Sequence, residues 1–437
     1  MTLLETLSKF CEQHGLNHTY WVAYSGGLDS HVLLEQCVLL RQSLPLKLQV
    51  VHVHHGLSTH ADQWVAHCEN VCKAYDVPCM TKKIIVQKNI GDSLEDVARQ
   101  YRYQIFAEIL QYNDCLLTAH HQDDQAETIL LQLIRGAGPK GLASMPLIKP
   151  FANGFHARPF IQCSRSVLYD YAKQNQLVWI EDEMNQHLKL TRNFIRHEVM
   201  PILKNRWSNV EAQLSRSARH CAEQDVLINA FSLELLREAK GSKEHCLSVQ
   251  KLLSLSDEKQ KLVLRSWIDQ QGHPLPDSKK LESICHQMLT ARSDKNPHVR
   301  FGKSEVRRYR DDLYLMNQLP KYDETSYYEL DLEKPLSIAG IGILRASLVK
   351  GRGLRVDREQ IECRFRQGGE QIEIPSIGRR PLKKLFQEWG VLPWERDRTP
   401  LLFIGDQLIA VVGYFLKAEL MARENEMGYE LILDRIV

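Results

Sequence analysis

Six consecutive residues near the start of the chain, Ser25-Gly26-Gly27-Leu28-Asp29-Ser30, have the makeup of an anion cradle. Two glycines let backbone N–H groups approach phosphate oxygens with no Cβ in the way. The hydroxyls of Ser25 and Ser30 add donors, and the apolar run from His31 onward supplies the open N–H groups of a helix start. The loop lacks the lysine of G-x-x-x-x-G-K-[ST], and Asp29 would repel phosphate unless a cation lay between them. The spacing therefore implies a pyrophosphate held together with magnesium at Asp29. The plainer alternative for the same residues is a turn in which Asp29 or Ser30 caps the helix.

A second group stands at His120, His121, Asp123, Asp124 and Glu127, with Asp123 and Glu127 four apart on one helix face. Carboxylates there can grip an ammonium group and take its proton. They also suit the positive end of a helix dipole or, with the histidines, a metal. Arg99 and Arg102 stand three apart, and Arg192 comes later in T-R-N-F-I-R. A guanidinium can clamp a phosphate or carboxylate with two hydrogen bonds, or, for the first two, simply pair with Glu95 or Asp96. Arg196, beside His197 and Glu198, fits a solvated helix face. His52, His54 and His55 fall at the end of a strand pattern, where histidines are more often structural than ligating.

The elements that must position these groups alternate through the first 150 residues. TYWVAYS reads as a strand, Asp29 to Leu40 as a helix, LKLQVVHVHH as a strand and Trp64 to Tyr75 as a helix. CMTKKIIV is a third strand, Ser93 to Tyr112 a helix, CLLTAHH a fourth strand and Asp123 to Ile134 a helix. This order predicts an α/β fold: a parallel twisted sheet with helices on both faces and ligands beyond the carboxyl ends of its strands. After Gly91, Ser93 and Asp96 form a capping box, and Leu94, Val97, Ala98, Tyr101, Ile105, Phe106 and Ile109 form one apolar stripe. From about Ser208 long helices dominate, at Val210 to Lys240, Asp257 to Gln270 and Asp277 to Thr290. After Pro335 short strand-like runs return, with a helix around Arg380 to Gly390. The expected division is 1–207, 208–330 and 331–437: a nucleotide-binding domain, a helical domain and a small mixed α/β domain.

Composition narrows the class. The 437 residues are 43% hydrophobic, enough for several cores, and no apolar run reaches the length of a membrane helix, so a cytoplasmic protein with no membrane partner is expected. The 11 cysteines are an odd number with no C-x-x-C pair, which argues against a disulfide scaffold, a structural zinc or an iron–sulfur cluster. Net charge is only +2, but basic residues gather at Lys189 to Arg206, Arg300 to Arg310 and Arg379 to Lys384. Each cluster alone fits a solvated face; three together suit a polyanion. Arg379, Arg380, Lys383 and Lys384 have helical spacing beside Trp389 and Trp394, a mixture suited to phosphate contacts with packing or base stacking.

The S-G-G-x-D-S loop resembles the signature of the PP-loop ATP pyrophosphatases. VHVHHGL at 51–57, EDVARQYRY at 95–103, TAHHQDDQAET at 118–128, RGAGPKGLASM at 135–145, RPF at 158–160 and TRNFIRHEVMP at 191–201 are similar, in order, to motifs of tRNA(Ile)-lysidine synthetases. FRQGGEQIEIP at 365–375 and the segment 382–413 resemble the C-terminal domain of their longer, three-domain form. Gln122, where alanine is commoner, is a small departure. The resemblance implies an ATP- and magnesium-dependent ligase. It would adenylate the 2-carbonyl oxygen of the wobble cytidine in the CAU anticodon of isoleucine tRNA and let L-lysine displace AMP, changing the codon read from AUG to AUA.

It further implies that Ser25 to Ser30 bind ATP, that the backbone at His52 lines the adenine pocket, and that His120, Asp123, Asp124 and Glu127 help form the lysine and ATP site. At least one of Arg99, Arg102 and Arg192 would contact phosphate or the activated nucleotide, and the later domains would bind tRNA. A homodimer is compatible with the sequence. Two other classes remain: a tRNA thiolase, which would normally need cysteine pairs, and a non-catalytic RNA-binding protein, which leaves the loop unexplained.

Overall fold

The computed structural model describes residues 2–15, 18–54, 56, 60–84, 94–181, 191–292, 296–356, 360–374 and 378–435, of which 94–96 are described by backbone alone. His55, Leu57, Gly91, the Ser93 to Asp96 capping box, the side chains of Leu94 and Glu95, Lys189 and Pro375 lie outside the described residues. The chain forms two compact units, Met1–Ile228 and Asn229–Val437.

The first unit is built on a six-stranded sheet of order β3-β2-β1-β4-β6-β5, from β1 (Thr19–Ala23), β2 (Lys47–His54), β3 (Cys79–Lys83), β4 (Cys115–Leu117), β5 (Ile148–Phe151) and β6 (Gly154–Ala157). The four strands expected from the alternating pattern are present and parallel. β6 extends the parallel set beside β4, and β5 closes the edge antiparallel to it, an addition the alternation did not announce. The central strands are apolar on both faces because helices cover both: Val22, Val50 and Leu117 belong to one buried cluster, and Trp21, Val51, Val53 and Leu116 to another.

α1 (Leu3–His14) and α2 (Leu28–Arg41) supply Leu7, Phe10, Val32, Leu33 and Leu34 to the first cluster. Before α3 (Ala61–Ala74) and β3, β2 ends at the strand carboxyl edge; α4 (Leu94–Ile109) packs Phe106 into the second cluster, with Tyr101, Ile105 and Ile109 along the expected stripe. α5 (Gln122–Ile134), α6 (Pro139–Leu142) and α7 (Arg165–Gln174) follow. Because β1 lies between β2 and β4, the chain leaves β1 and β4 toward opposite sides, and a crevice opens beyond their carboxyl ends.

α8 (Thr191–Phe194) runs into a π-helical stretch, Ile195–Val199, and then into α9 (Met200–Arg206). The wide turn has a cause. Pro201 has no N–H to offer the carbonyl of His197, and the Met200 N–H donates to the Ile195 carbonyl, five residues back. Ile195 and Met200 pack with Ala126 of α5 and Val210, which fixes this segment against α5. α10 (Val210–Glu238) begins next.

In the second unit, α11 (Val249–Leu253), α12 (Asp257–Gln270) and α13 (Ser278–Thr290) pack on a four-stranded antiparallel sheet of order β7-β10-β9-β8. Its strands are β7 (Leu247–Ser248), β8 (His298–Phe301), β9 (Ser304–Tyr309) and β10 (Asp312–Asn317). The helices agree with the sequence reading, and the sheet is a feature it did not contain. The residues from Tyr322 onward form antiparallel sheets of five, three and two strands around two further cores. One expectation is corrected here. Arg379 and Arg380 lie on a strand, Gly378–Pro381, paired with Gln371–Ile374, and the helix begins only at Leu382. Pro381 explains the late start: it serves as the N-cap, where its missing N–H costs nothing.

Candidate active site

The crevice holds a cleft of about 600 Å³ whose lining includes Ser25, Gly27, Leu28, Asp29, Ser30, Arg99, Arg102, His120 and Asp124. Sequence positions from three separated segments thus converge on one cavity.

The loop after β1 has the geometry that its glycines predicted. Gly26 has φ +83°, and a Cβ there would stand 2.7 Å from Ile180 Cδ1 and 3.0 Å from Cys68 Sγ. Any other residue would be strained in backbone and crowded in side chain. Gly26 therefore shapes the loop from behind, while its neighbours face the cleft. Ser30 Oγ accepts from the Ser25 N–H at 3.2 Å, lies 3.0 Å from Ser25 Oγ, and donates to the Gly27 carbonyl at 3.0 Å. Gly27 is the N-cap of α2 and has no side-chain cap, so the helix presents open N–H groups to the cleft.

Asp29, in the first turn of α2, is the most telling group. Its Oδ1 is buried without a hydrogen-bond partner, with only Arg165 Nε 4.0 Å away, while Oδ2 lies 3.7 Å from His121 Nε2. A carboxylate oxygen left bare at a phosphate loop fits a divalent cation, since magnesium commonly takes one carboxylate and completes its shell with phosphate oxygens and water. Asp29 would hold such an ion, which would supply positive charge against the phosphates.

The carboxylates after β4 divide differently from the sequence expectation. Asp123 and Glu127 do not act as a pair. Asp124 and Glu127, both buried, share two arginines: Arg192 reaches Asp124 Oδ1 and Glu127 Oε2 at 2.9 Å each, and Arg196 reaches Glu127 Oε1 at 2.6 Å and Asp124 Oδ1 at 3.0 Å. Arg196 is thus a partner in a buried clamp rather than part of a solvated face. Arg192 and Glu127 do not line the cleft; they brace the segment that does. Asp123 turns the other way, accepting from the Arg165 N–H at 3.0 Å and pairing with Lys204 at 3.1 Å.

His121 caps α5, its Nδ1 accepting from the Asp124 N–H at 3.4 Å. Burial would lower its pKa, but the carboxylates of Asp124, Asp29 and Asp123 outweigh burial and hold it above the ordinary histidine value. Burial likewise opposes ionisation of Asp124, and His121 and Arg192 overcome it, keeping Asp124 well below the usual carboxylate range. His120 is opposite in character. Burial, reinforced by Arg158, Arg192 and Arg99 and only partly opposed by Asp124, lowers its pKa to about 3.

At His52 the sequence points only to the backbone as part of the pocket. The His52 side chain is buried, with Nδ1 2.9 Å from the Tyr24 carbonyl, and the cleft is lined instead by Val51 and Val53, the residues on either side. The alternation of a strand explains this, since neighbours on one strand face opposite ways. Arg99 and Arg102 do reach the cleft, Arg99 with its guanidinium over the Tyr103 ring at 5.0 Å. Sequence reasoning missed Arg165, Thr118 and Trp179, which also line it. Arg165 could have been found as the first residue of a helix behind Ser164; the others carry no local signal.

The expected basic strip at Arg300 to Arg310 is largely occupied internally. Arg300 and Arg307 both pair with the fully buried Glu305, and Arg308 donates to the Met288 and Ala291 carbonyls at the end of α13. Arg380 is paired with Glu388. Lys383 and Lys384 are exposed. Trp394 is buried, and Trp389, partly buried, stacks on Tyr414 at 5.8 Å, so both tryptophans pack.

Family models match along the chain: a PP-loop domain at residues 2–203, a TilS substrate binding domain at 247–314 and a TilS substrate C-terminal domain at 361–433. The tRNA(Ile)-lysidine synthase of Coxiella burnetii is 42% identical over 98% of this chain and 96% of its own length. That of Salmonella typhimurium is 41% identical over 94% of this chain and 95% of its own. Among solved structures, a U34-tRNA thiolase from Methanococcus maripaludis overlaps 51% of this chain and 78% of its own at 14% identity and a TM-score of 0.42. With relatives at this identity matching nearly end to end, the chain belongs to the tRNA(Ile)-lysidine synthase family.

Proposed function

We propose that the chain joins L-lysine to the 2-position of the wobble cytidine in the CAU anticodon of isoleucine tRNA, through an adenylated cytidine, with release of pyrophosphate and AMP. The observation that carries this reading is the loop of Ser25 to Ser30. It opens helix N–H groups into the cleft beside a carboxylate oxygen with no hydrogen-bond partner among the described residues, an arrangement suited to a triphosphate and its cation.

The 2-carbonyl oxygen of cytosine is a poor leaving group, and transferring AMP onto it makes displacement by an amine feasible. Loop N–H groups hold the departing pyrophosphate, and Asp29 would hold a magnesium ion, which would supply further positive charge there; Arg99 and Arg102 bring positive charge to the same cleft. The carboxylate-rich start of α5 draws the lysine ammonium, with Asp124 the member that faces the cavity. Asp123, Glu127 and Arg192 then serve by holding α5, α7 and α8 in register around it. Residues 208–330 and 331–437 act as tRNA-binding domains, with Lys383 and Lys384 on phosphates, and the enzyme works where tRNA is found, in the cytoplasm.

The test is incubation of the full chain with ATP, magnesium, labelled lysine and isoleucine tRNA bearing a CAU anticodon. Label recovered in the tRNA with one AMP formed per lysine is expected. Label confined to free lysine while the tRNA stays intact rejects the reading.

A further inference from the structure

We propose that Arg158, His156 and Thr118 form a directed hydrogen-bond relay that makes His120 a neutral donor, its Nε2–H aimed at an acceptor oxygen of the bound nucleotide. The direction follows from chemistry. A guanidinium has hydrogens to give and no lone pair to offer, so Arg158 Nη2, 3.1 Å from His156 Nδ1, is the donor. Its other terminal nitrogen, Nη1, donates to the Pro146 carbonyl at 2.8 Å. With its lone pair on Nδ1 engaged, neutral His156 carries its hydrogen on Nε2. That nitrogen lies 2.8 Å from Thr118 Oγ1, which must accept.

The hydroxyl of Thr118 then has one hydrogen to give, and His120 Nδ1 is 2.8 Å away, much closer than the competing Ala157 carbonyl at 3.5 Å. His120 Nδ1 therefore accepts, and its hydrogen sits on Nε2. His120 lines the cleft, and its hydrogen bond to Thr118 is made at Nδ1, the nitrogen other than Nε2.

His156 is fully buried between Tyr103 and Phe151, so the relay is set in rigid packing. The groups facing His120 are Asp124 on α5 and the guanidinium groups of Arg99, Arg158 and Arg192, and this largely basic setting, added to burial, disfavours a charged ring. A neutral ring with Nε2–H cannot accept a proton from an incoming ammonium at that nitrogen. Its partner is an oxygen with a lone pair, a phosphate or carbonyl oxygen of the nucleotide. Resting on the ATP-using reading above, this makes Thr118 a positioning residue and removes His120 from the candidates for proton acceptor from lysine.

The test uses the full chain with Mg-ATP alone, so a failure of lysine transfer to tRNA leaves it intact. In protein with ¹⁵N-labelled histidine, His120 is expected to show a bare Nδ1 and a protonated Nε2 at pH 7. Thr118→Val, which keeps the shape and loses the hydroxyl, should blur that assignment and weaken Mg-ATP binding about tenfold, and Thr118→Ser should recover both. His156→Asn keeps an acceptor, Oδ1, for Arg158, but its amide N–H₂ ends about one bond short of the place of Nε2, so Thr118 loses its donor; the variant should reproduce the loss although His156 does not line the cleft. A protonated Nδ1 in the wild type overturns the proposal. So does Thr118→Val with unchanged affinity, or a loss in Thr118→Val that His156→Asn does not share.

Discussion

His156 shows how a single buried ring sets acid stability. His156 has its pKa lowered to about 2, first by burial and then by Arg158, His120, Lys149 and Arg99, from an ordinary value of 6.5. A pKa lower in the folded than in the unfolded chain means that stability is fully present above about 6.5. It is lost as pH falls, because the unfolded chain takes up a proton the folded one refuses. Each such group contributes a slope of about 1.4 kcal/mol per pH unit in this window. His156→Gln, which does not titrate, should remove one such slope between pH 6 and pH 5 in urea unfolding of the full chain; equal slopes in both proteins would contradict this. At this scale the sequence picked out residues that the fold brings together. Asp29, Arg99, Arg102, His120 and Asp124 all reach the cleft. It could not say that Asp124 and Glu127 would be met by arginines more than sixty positions away, or that Asp123 would turn toward Arg165 and Lys204, because such pairing is a property of the folded chain.

Among the elements, the contact of α5 with α8 and the π-helical stretch is the brace behind the cleft. Removing both Arg192 and Arg196 by alanine substitution would strand two buried carboxylates, at a cost of about 3–5 kcal/mol. Adding Asp124→Asn and Glu127→Gln to that variant should restore part of the loss, and denaturant midpoints for the three proteins decide it. Gly26→Ala tests the loop from the other side. Its positive φ and the approach of Ile180 and Cys68 predict about 1–3 kcal/mol of strain together with a raised KM for ATP, whereas Gly136→Ala, also at positive φ but in open space, should show only the strain. Alternating apolar strands and helices were legible from Thr19 to Ile134 because each has a clear period. The π-helical turn was not, since it depends on where Pro201 interrupts the bonding of a helix already packed on α5. β5 and the sheet of β7 to β10 were also hidden: their strands are short, and some carry polar or charged residues that follow no simple alternation.

For the molecule as a whole, tRNA binding should be carried by charge that the fold leaves available. Arg307 and Arg308 serve their own sheet and helix and Arg300 pairs with Glu305, so the local density of 300–310 overstated its reach, while Lys383 and Lys384 are exposed. Lys383→Glu with Lys384→Glu should weaken tRNA binding and lower the slope of log affinity against log salt by about 2, with Mg-ATP binding unchanged; an unaltered slope would remove these lysines from the interface. Cleavage of ATP should depend on the loop after β1 and its one carboxylate. Pyrophosphate release with saturating lysine and CAU isoleucine tRNA, compared between the wild type and Asp29→Ala, tests it most directly. A fall of about 100-fold or more is predicted for the variant. Release at the wild-type rate would contradict it.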